Sequence, residues 1–187
     1  MPQRPMLEAA PVAWLLDHEA EGADNVPDPS TTPDSSPSEM EMRANVLELV
    51  FDGDAGRLDD FCRVVGEVLP ANTSAVLRGS AVTGVRWKDG EPFDADGPGT
   101  SDLDLTLVGP DLLGRYSLDG FFVPGVHSKP LSEKDPDIAP SLIPLRERLM
   151  AMVGRPVNIQ ATRDIVMFLR GDLLGQPYLT LVGKAGA

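Results

Sequence analysis

The sequence predicts an α+β domain in which a small mixed sheet of about four strands is flanked by helices, behind a disordered N-terminal tail. Three patterns carry that prediction. Residues 27–38 form a Pro/Ser/Asp/Thr tract without apolar periodicity, a composition that cannot bury enough surface to offset its ordering entropy. Within 57–69, Leu58, Phe61, Val64, Val65 and Val68 recur on one face of a helix. Within 101–108, Leu103, Leu105 and Leu107 alternate with Asp102, Asp104 and Thr106, the period of two that marks a strand.

Taken in order, residues 1–42 make the acidic, Pro/Ser-rich tail. Residues 12–16 offer an amphipathic turn or two for docking to a protein partner, and His18 follows them. Order is expected from near Arg43. The cluster Val46, Leu47, Leu49, Val50 and Phe51 suits a helix or a strand, and Asp54-Ala55-Gly56 leads into the helix at 57–69. Residues 70–72 end that helix, and 74–77 form a short apolar strand running into Arg78-Gly79-Ser80. Beyond the alternating strand, 109–138 mixes Pro, Gly and charges and reads as irregular. Residues 141–153 form a helix with the stripe Leu142, Leu145, Leu149 and Met152, capped by Gly154. A strand at 156–161, a helix or strand at 165–169 and a last strand or docked segment at 177–182 complete the domain. The domain therefore runs from 43 to 187.

The chain of 187 residues has a formal net charge of -13. That balance argues against a protein that wraps duplex nucleic acid, because such binding depends on clustered Lys and Arg. It leaves room for a nucleotide that arrives with its own metal ion. A single cysteine, Cys62, excludes an intrachain disulfide and cysteine zinc motifs; its place in the helical stripe suits a small core residue. No apolar run approaches the length of a membrane helix. The run at 10–16 is followed by Asp17, Glu19 and Glu21 rather than a cleavage site. A cytoplasmic protein without membrane attachment is the expectation.

If 101–108 is a strand, Asp102 and Asp104 share one face. Two carboxylates so close repel, and a divalent cation with hard oxygen ligands, Mg²⁺ or Mn²⁺, resolves the conflict. Taken alone, the pair is more often a solvent-facing strand edge. Its surroundings change that reading, because the preceding strand ends in Gly79-Ser80. There glycine lets the backbone approach a ligand, and serine offers its N–H and hydroxyl to phosphate.

The two elements together, Val76-Leu77-Arg78-Gly79-Ser80 and Thr100-Ser101-Asp102-Leu103-Asp104-Leu105, resemble the DNA-polymerase-beta-like nucleotidyltransferase superfamily over roughly residues 57–165. The resemblance implies a nucleotidyltransferase-like fold and transfer of a nucleoside monophosphate from an NTP to a hydroxyl. It implies that Arg78, Gly79, Ser80 and Ser101 contact the nucleotide, with the Gly-Ser element opening a short helix against the phosphates. Asp102 and Asp104 would hold Mg²⁺ or Mn²⁺, and a further carboxylate on the next strand would complete a two-metal site. The acceptor stays open: RNA such as a tRNA, a protein or a small molecule. Small stand-alone members of the superfamily serve in toxin-antitoxin systems, and by analogy alone this chain fits one.

Two departures stand out. The spacer 81–101 is longer than the family's usual one and carries two turn-like stretches around Trp87-Lys88-Asp89-Gly90 and Asp94-Ala95-Asp96-Gly97. It reads as a hairpin or flap beside the triphosphate, or equally as a plain insertion; Arg86 and Lys88 are within reach of phosphate in the first case, although charges on exposed loops are more often merely solvated. The second departure is Asn158, which stands where the third carboxylate is expected. A one-metal enzyme, a substitute carboxylate such as Asp164, and a catalytically silent nucleotide- or partner-binding module are the three readings. His127 is placed to contact an acceptor, although an isolated loop histidine is more often incidental. Glu133, Asp135 and Asp137 read as an acidic loop. Walker, Rossmann, Gly-x-Ser-x-Gly and His-Glu-x-x-His motifs are absent.

Overall fold

The computed structural model describes residues 36–184. The expected disordered tail up to residue 35, with its docking turn at 12–16 and His18, lies outside the described residues. In chain order the elements are α1 (Glu39–Phe51), α2 (Ala55–Val68), β1 (Thr73–Arg78), α3 (Ser80–Thr83), β2 (Leu103–Val108), α4 (Pro110–Leu113), β3 (Phe121–Val123), β4 (His127–Ser128), α5 (Ile143–Val153), β5 (Val157–Thr162), α6 (Asp164–Phe168) and β6 (Leu179–Lys184). The α+β class stands. The sheet, however, has six strands rather than about four, in the order β3-β4-β5-β2-β1-β6. β2 and β5 run parallel, and β1 runs antiparallel to both its neighbours, β2 and β6.

The additional strands, β3 and β4, fall inside the segment expected to be irregular. They span 3 and 2 residues, too short to show a period, and Pro124-Gly125 interrupts them. The ambiguous cluster at 46–51 is helical, as part of α1. That helix starts at Glu39, inside the stretch assigned to the tail, because Ser38 caps it. Glu41 N–H donates to Ser38 Oγ at 3.3 Å, and Ser38 N–H donates back to Glu41 Oε2 at 2.8 Å, a reciprocal box that satisfies two otherwise unpaired donors. α2 is capped by Asp54, which accepts from Arg57 N–H at 3.1 Å. Gly154 ends α5 in the left-handed region at φ 68, as expected.

Burial fixes which face each strand turns inward. Leu103, Leu105 and Leu107 are at most 1% exposed and share one core with Val157, Ile159 and Ala161 of β5. Val46, Val50 and Phe51 of α1, Phe61 and Val64 of α2, and Leu149 of α5 cover them. Each buried leucine contributes about 1.5–3 kcal/mol. A slip of one residue would expose all three and drive Asp104 into the core, so the alternation locks the register. Cys62 is half-buried against this core. The opposite face carries Arg78, Asp104 and Asn158 at one end. At the other end a second apolar cluster joins Val76 and Val108 to Met167 and Tyr178. Among the described residues no helix is long and apolar enough to cross a membrane.

Candidate functional site

The site forms where β1 ends and β2 and β5 begin. β1 leaves the sheet at Gly79, whose φ of 74 and ψ of -159 lie in a region essentially reserved for glycine. The chain then turns at once into α3, Val82 N–H donating to Gly79 carbonyl at 2.9 Å. Antiparallel pairing sets Arg78 opposite Asp104, and parallel pairing sets Asp104 opposite Asn158. A Cβ placed on Gly79 would lie 3.1 Å from Asp104 Oδ2.

Asn158 joins the two aspartates. Its Nδ2 donates to Asp102 Oδ2 at 3.1 Å and to Asp104 Oδ1 at 3.2 Å. The sequence-predicted residues Gly79, Asp102, Asp104 and Asn158 therefore meet. The amide uses both its N–H groups here, and it relieves the repulsion between two carboxylates without adding a charge. Among the described residues no group of three or more His, Cys, Asp or Glu side chains is placed to hold a metal ion. The donor set still suits one hard cation. Turning the Asn158 amide about its last bond replaces Nδ2 by Oδ1, giving two carboxylates and one carbonyl oxygen. Mg²⁺ takes such a partial set and fills its other positions with water and phosphate oxygens.

Other expected contacts are engaged elsewhere. Arg78 is half-buried; its Nε donates to Thr106 Oγ1 at 2.9 Å and its Nη2 to Gln160 Oε1. The guanidinium is thus laid across β2 and β5, one sheet position inward from the carboxylates. Ser101 gives its N–H to Asp94 Oδ1 at 2.9 Å, and its hydroxyl accepts Asp94 N–H at 2.8 Å. Ser80 opens α3. The spacer does form a hairpin: Val85 pairs with Pro92, and Arg86 N–H donates to Glu91 carbonyl at 2.7 Å. Arg86 itself is taken up inside it, by Asp96 at 2.8 Å and Asp89 at 3.6 Å, while Lys88 is exposed.

Two candidates sit differently from expectation. Asp164 cannot replace the third carboxylate. The β2–β5 register runs from Leu103↔Val157 to Val108↔Thr162, so Asp164 emerges at the far end, roughly 20 Å from Asn158 at the rise of a strand. There it lines a cavity of about 270 Å³ with Ser74, Val76, Val108, Met167, Tyr178 and Thr180. That cavity lies at the other end of the sheet from the carboxylate pair, so the two are separate features. His127 is not a loop residue reaching for an acceptor. It is 3% exposed on β4, its Nδ1 3.1 Å from Thr162 Oγ1 and its ring stacked on Phe122 at 5.9 Å. Burial, helped by the charges of Arg170 and Arg78, pushes its pKa down to about 3, so it stays neutral.

Sequence reasoning missed Asp94 and Arg155. Asp94 showed only as a turn residue ahead of Gly97 and Gly99, and nothing in the pattern paired it with an arginine 61 positions away. Comparison with protein-family models, with curated proteins and with solved structures finds no match to this chain.

Proposed function

We propose that this chain is a Mg²⁺-dependent nucleotidyltransferase that moves a nucleoside monophosphate from an NTP to a hydroxyl acceptor. The observation that supports the reading most is the contact of Asn158 with both Asp102 and Asp104 beside Gly79. Two carboxylates are gathered at one point, close against the backbone turn at Gly79. Asp102, Asp104 and the Asn158 carbonyl would hold Mg²⁺. Bound there, the ion would neutralise the triphosphate and the leaving pyrophosphate.

The chain's own residues do the rest. The bare backbone of Gly79 lets a phosphate approach the turn into α3 closely, and Ser80 offers its hydroxyl to the same group. Arg78 adds a fixed positive charge one sheet position behind, favouring an anionic substrate. The acceptor oxygen bonds to the α-phosphorus, the bond from that phosphorus to the bridging oxygen breaks, and pyrophosphate leaves. Asn158 cannot take the acceptor's proton, so that proton passes to an aspartate or to solvent.

A second reading, a silent nucleotide- or partner-binding module, draws on the same residue. Asn158 removes the third carboxylate, and Asp164 lies too far away to replace it. Incorporation from each α-labelled NTP with Mg²⁺ or Mn²⁺ and a host lysate separates the two, with Asp102→Ala/Asp104→Ala as reference. Label transferred by wild type and lost in the double variant establishes the transferase and identifies the acceptor as RNA, protein or small molecule. Binding of NTP without label transfer selects the silent module.

A further inference from the structure

Residues 93–101 are tied to the start of β5 through Asp94 and Arg155, the least exposed ion pair among the described residues. Asp94 Oδ1 accepts Arg155 Nη1 at 3.0 Å, with side chains 19% and 9% exposed. The same oxygen accepts Ser101 N–H at 2.9 Å, and Oδ2 accepts Gly99 N–H at 2.9 Å. Asp94 holds φ 58, a left-handed conformation that few residues other than glycine adopt. Arg155 Nη1 also reaches Ser101 carbonyl at 3.4 Å, and Nη2 reaches Leu49 carbonyl at 3.3 Å. Its guanidinium lies 4.5 Å above the Phe93 ring. The other ion pairs among the described residues are more exposed, from 31%/43% for Arg86–Asp89 to 41%/84% for Arg57–Asp52.

The positions of these bonds matter more than their number. Ser101 immediately precedes Asp102. Arg155 precedes Pro156, whose carbonyl accepts Leu103 N–H at 2.9 Å and starts the β2–β5 ladder. The pair thus holds the two chain segments at the points where Asp102 and Asn158 emerge. An ion pair that served only the core would have no need to end on the residue before a site carboxylate.

We infer that Asp94 and Arg155 are positioning residues, a clamp that sets the separation of Asp102 from Asn158 and so fixes the geometry of the cation site. This rests on the metal-binding reading above. The clamp touches no ligand itself. It works as outer partners of metal ligands do, by orienting groups that bind. Arginine suits the task because its planar fork spans Asp94, Ser101 and Leu49 at once; lysine carries the charge without the fork.

The test compares wild type with Asp94→Asn, Arg155→Lys and Asp102→Ala, and uses Asp52→Asn in the exposed pair as control. Mn²⁺ affinity is measured by electron paramagnetic resonance, and local opening by hydrogen exchange of the segment 99–104. Asp94→Asn is expected to weaken Mn²⁺ binding about tenfold or more and to speed exchange at Ser101, with the overall circular dichroism unchanged. Arg155→Lys, which keeps charge and most of the volume, serves should Asp94→Asn fail to fold, and is expected to fall between it and wild type. Asp52→Asn should bind as wild type does. Affinity of both clamp variants within about twofold of wild type, while Asp102→Ala abolishes binding, overturns the clamp and leaves the metal reading standing. Wild type that binds no Mn²⁺ overturns the metal reading, and the role assigned to the clamp falls with it.

Discussion

Gly79 and Asp104 stand so close that a methyl group on the first would press on the second, with 3.1 Å between the Cβ position and Asp104 Oδ2. The backbone at Gly79 is independently closed to other residues, at φ 74 and ψ -159. Gly79→Ala therefore carries a strain cost of about 1–3 kcal/mol and displaces a site carboxylate as well. Gly84 separates the two effects: it also has positive φ, at 80, but the nearest atom to its Cβ position is 3.8 Å away. Both alanine variants should lose stability to urea. Only Gly79→Ala should lose Mn²⁺ affinity, and equal losses in the two would remove Gly79 from the site.

Asn158→Asp places a third carboxylate beside Asp102 and Asp104. Its amide now bridges Asp102 and Asp104 through Nδ2; a carboxylate there replaces attraction by repulsion when no cation is present. The variant should melt at lower temperature than wild type at neutral pH in chelator, and regain the difference when Mn²⁺ is added. Its Mn²⁺ affinity should rise at least about tenfold, equivalent to about 1.4 kcal/mol, because charge count is the main lever on affinity for hard cations. Calorimetric titration decides the matter. An Asn158→Asp protein with no gain in affinity would mean that the three side chains do not converge on a cation.

The residues gathered at the candidate site were legible in the sequence, and the scaffolding around them was not. Leu103, Leu105 and Leu107 announced both a strand and the outward face of Asp104, because period and polarity are local properties of the chain, whereas Asp102 lies just ahead of the strand rather than in it. Gly79-Ser80 at the end of an apolar strand was equally local. The helix start at Ser38 also had its local sign, Ser38 followed three residues later by Glu41, but it sat in a Pro/Ser tract whose composition dominated the reading. β3 and β4 left no such sign. Two or three residues cannot establish alternation, and those strands exist because β5 offers an edge for His127 to pair with at Thr162. The Asp94–Arg155 pair belongs to the same class. It depends on the parallel neighbour relation of β2 and β5, which brings residues remote in sequence side by side.

His127 gives the fold a pH dependence of known sign. Its folded pKa is about 3 against an ordinary 6.5, so the unfolded chain takes up the proton first. Its contribution is complete above pH 6.5 and is lost as pH falls, at about 1.4 kcal/mol per unit, until the folded form also protonates near pH 3. His127→Gln keeps a polar group facing Thr162 and does not titrate. Urea midpoints measured between pH 7 and 4 should fall less steeply for this variant than for wild type. Parallel curves would show that His127 titrates alike in the folded and unfolded chains, so that burial does not lower its pKa.

Asp164 supplies the opposite control. It is exposed in the first turn of α6 and lines the cavity formed with Met167 and Tyr178, at the end of the sheet away from Asn158. Nothing in the register allows it to reach Asp102 without unpairing β5 from β2, and those strands share an unbroken ladder from Leu103↔Val157 to Val108↔Thr162. Asp164→Ala should cost about 0.3–1 kcal/mol, the favourable placement of an acid in a first turn. Its Mn²⁺ affinity and any label transfer should match wild type. Loss of Mn²⁺ binding in Asp164→Ala, with Asn158→Ala unaffected, would move the cation to the other end of the sheet and make the Asp102/Asp104 pair an ordinary charged edge.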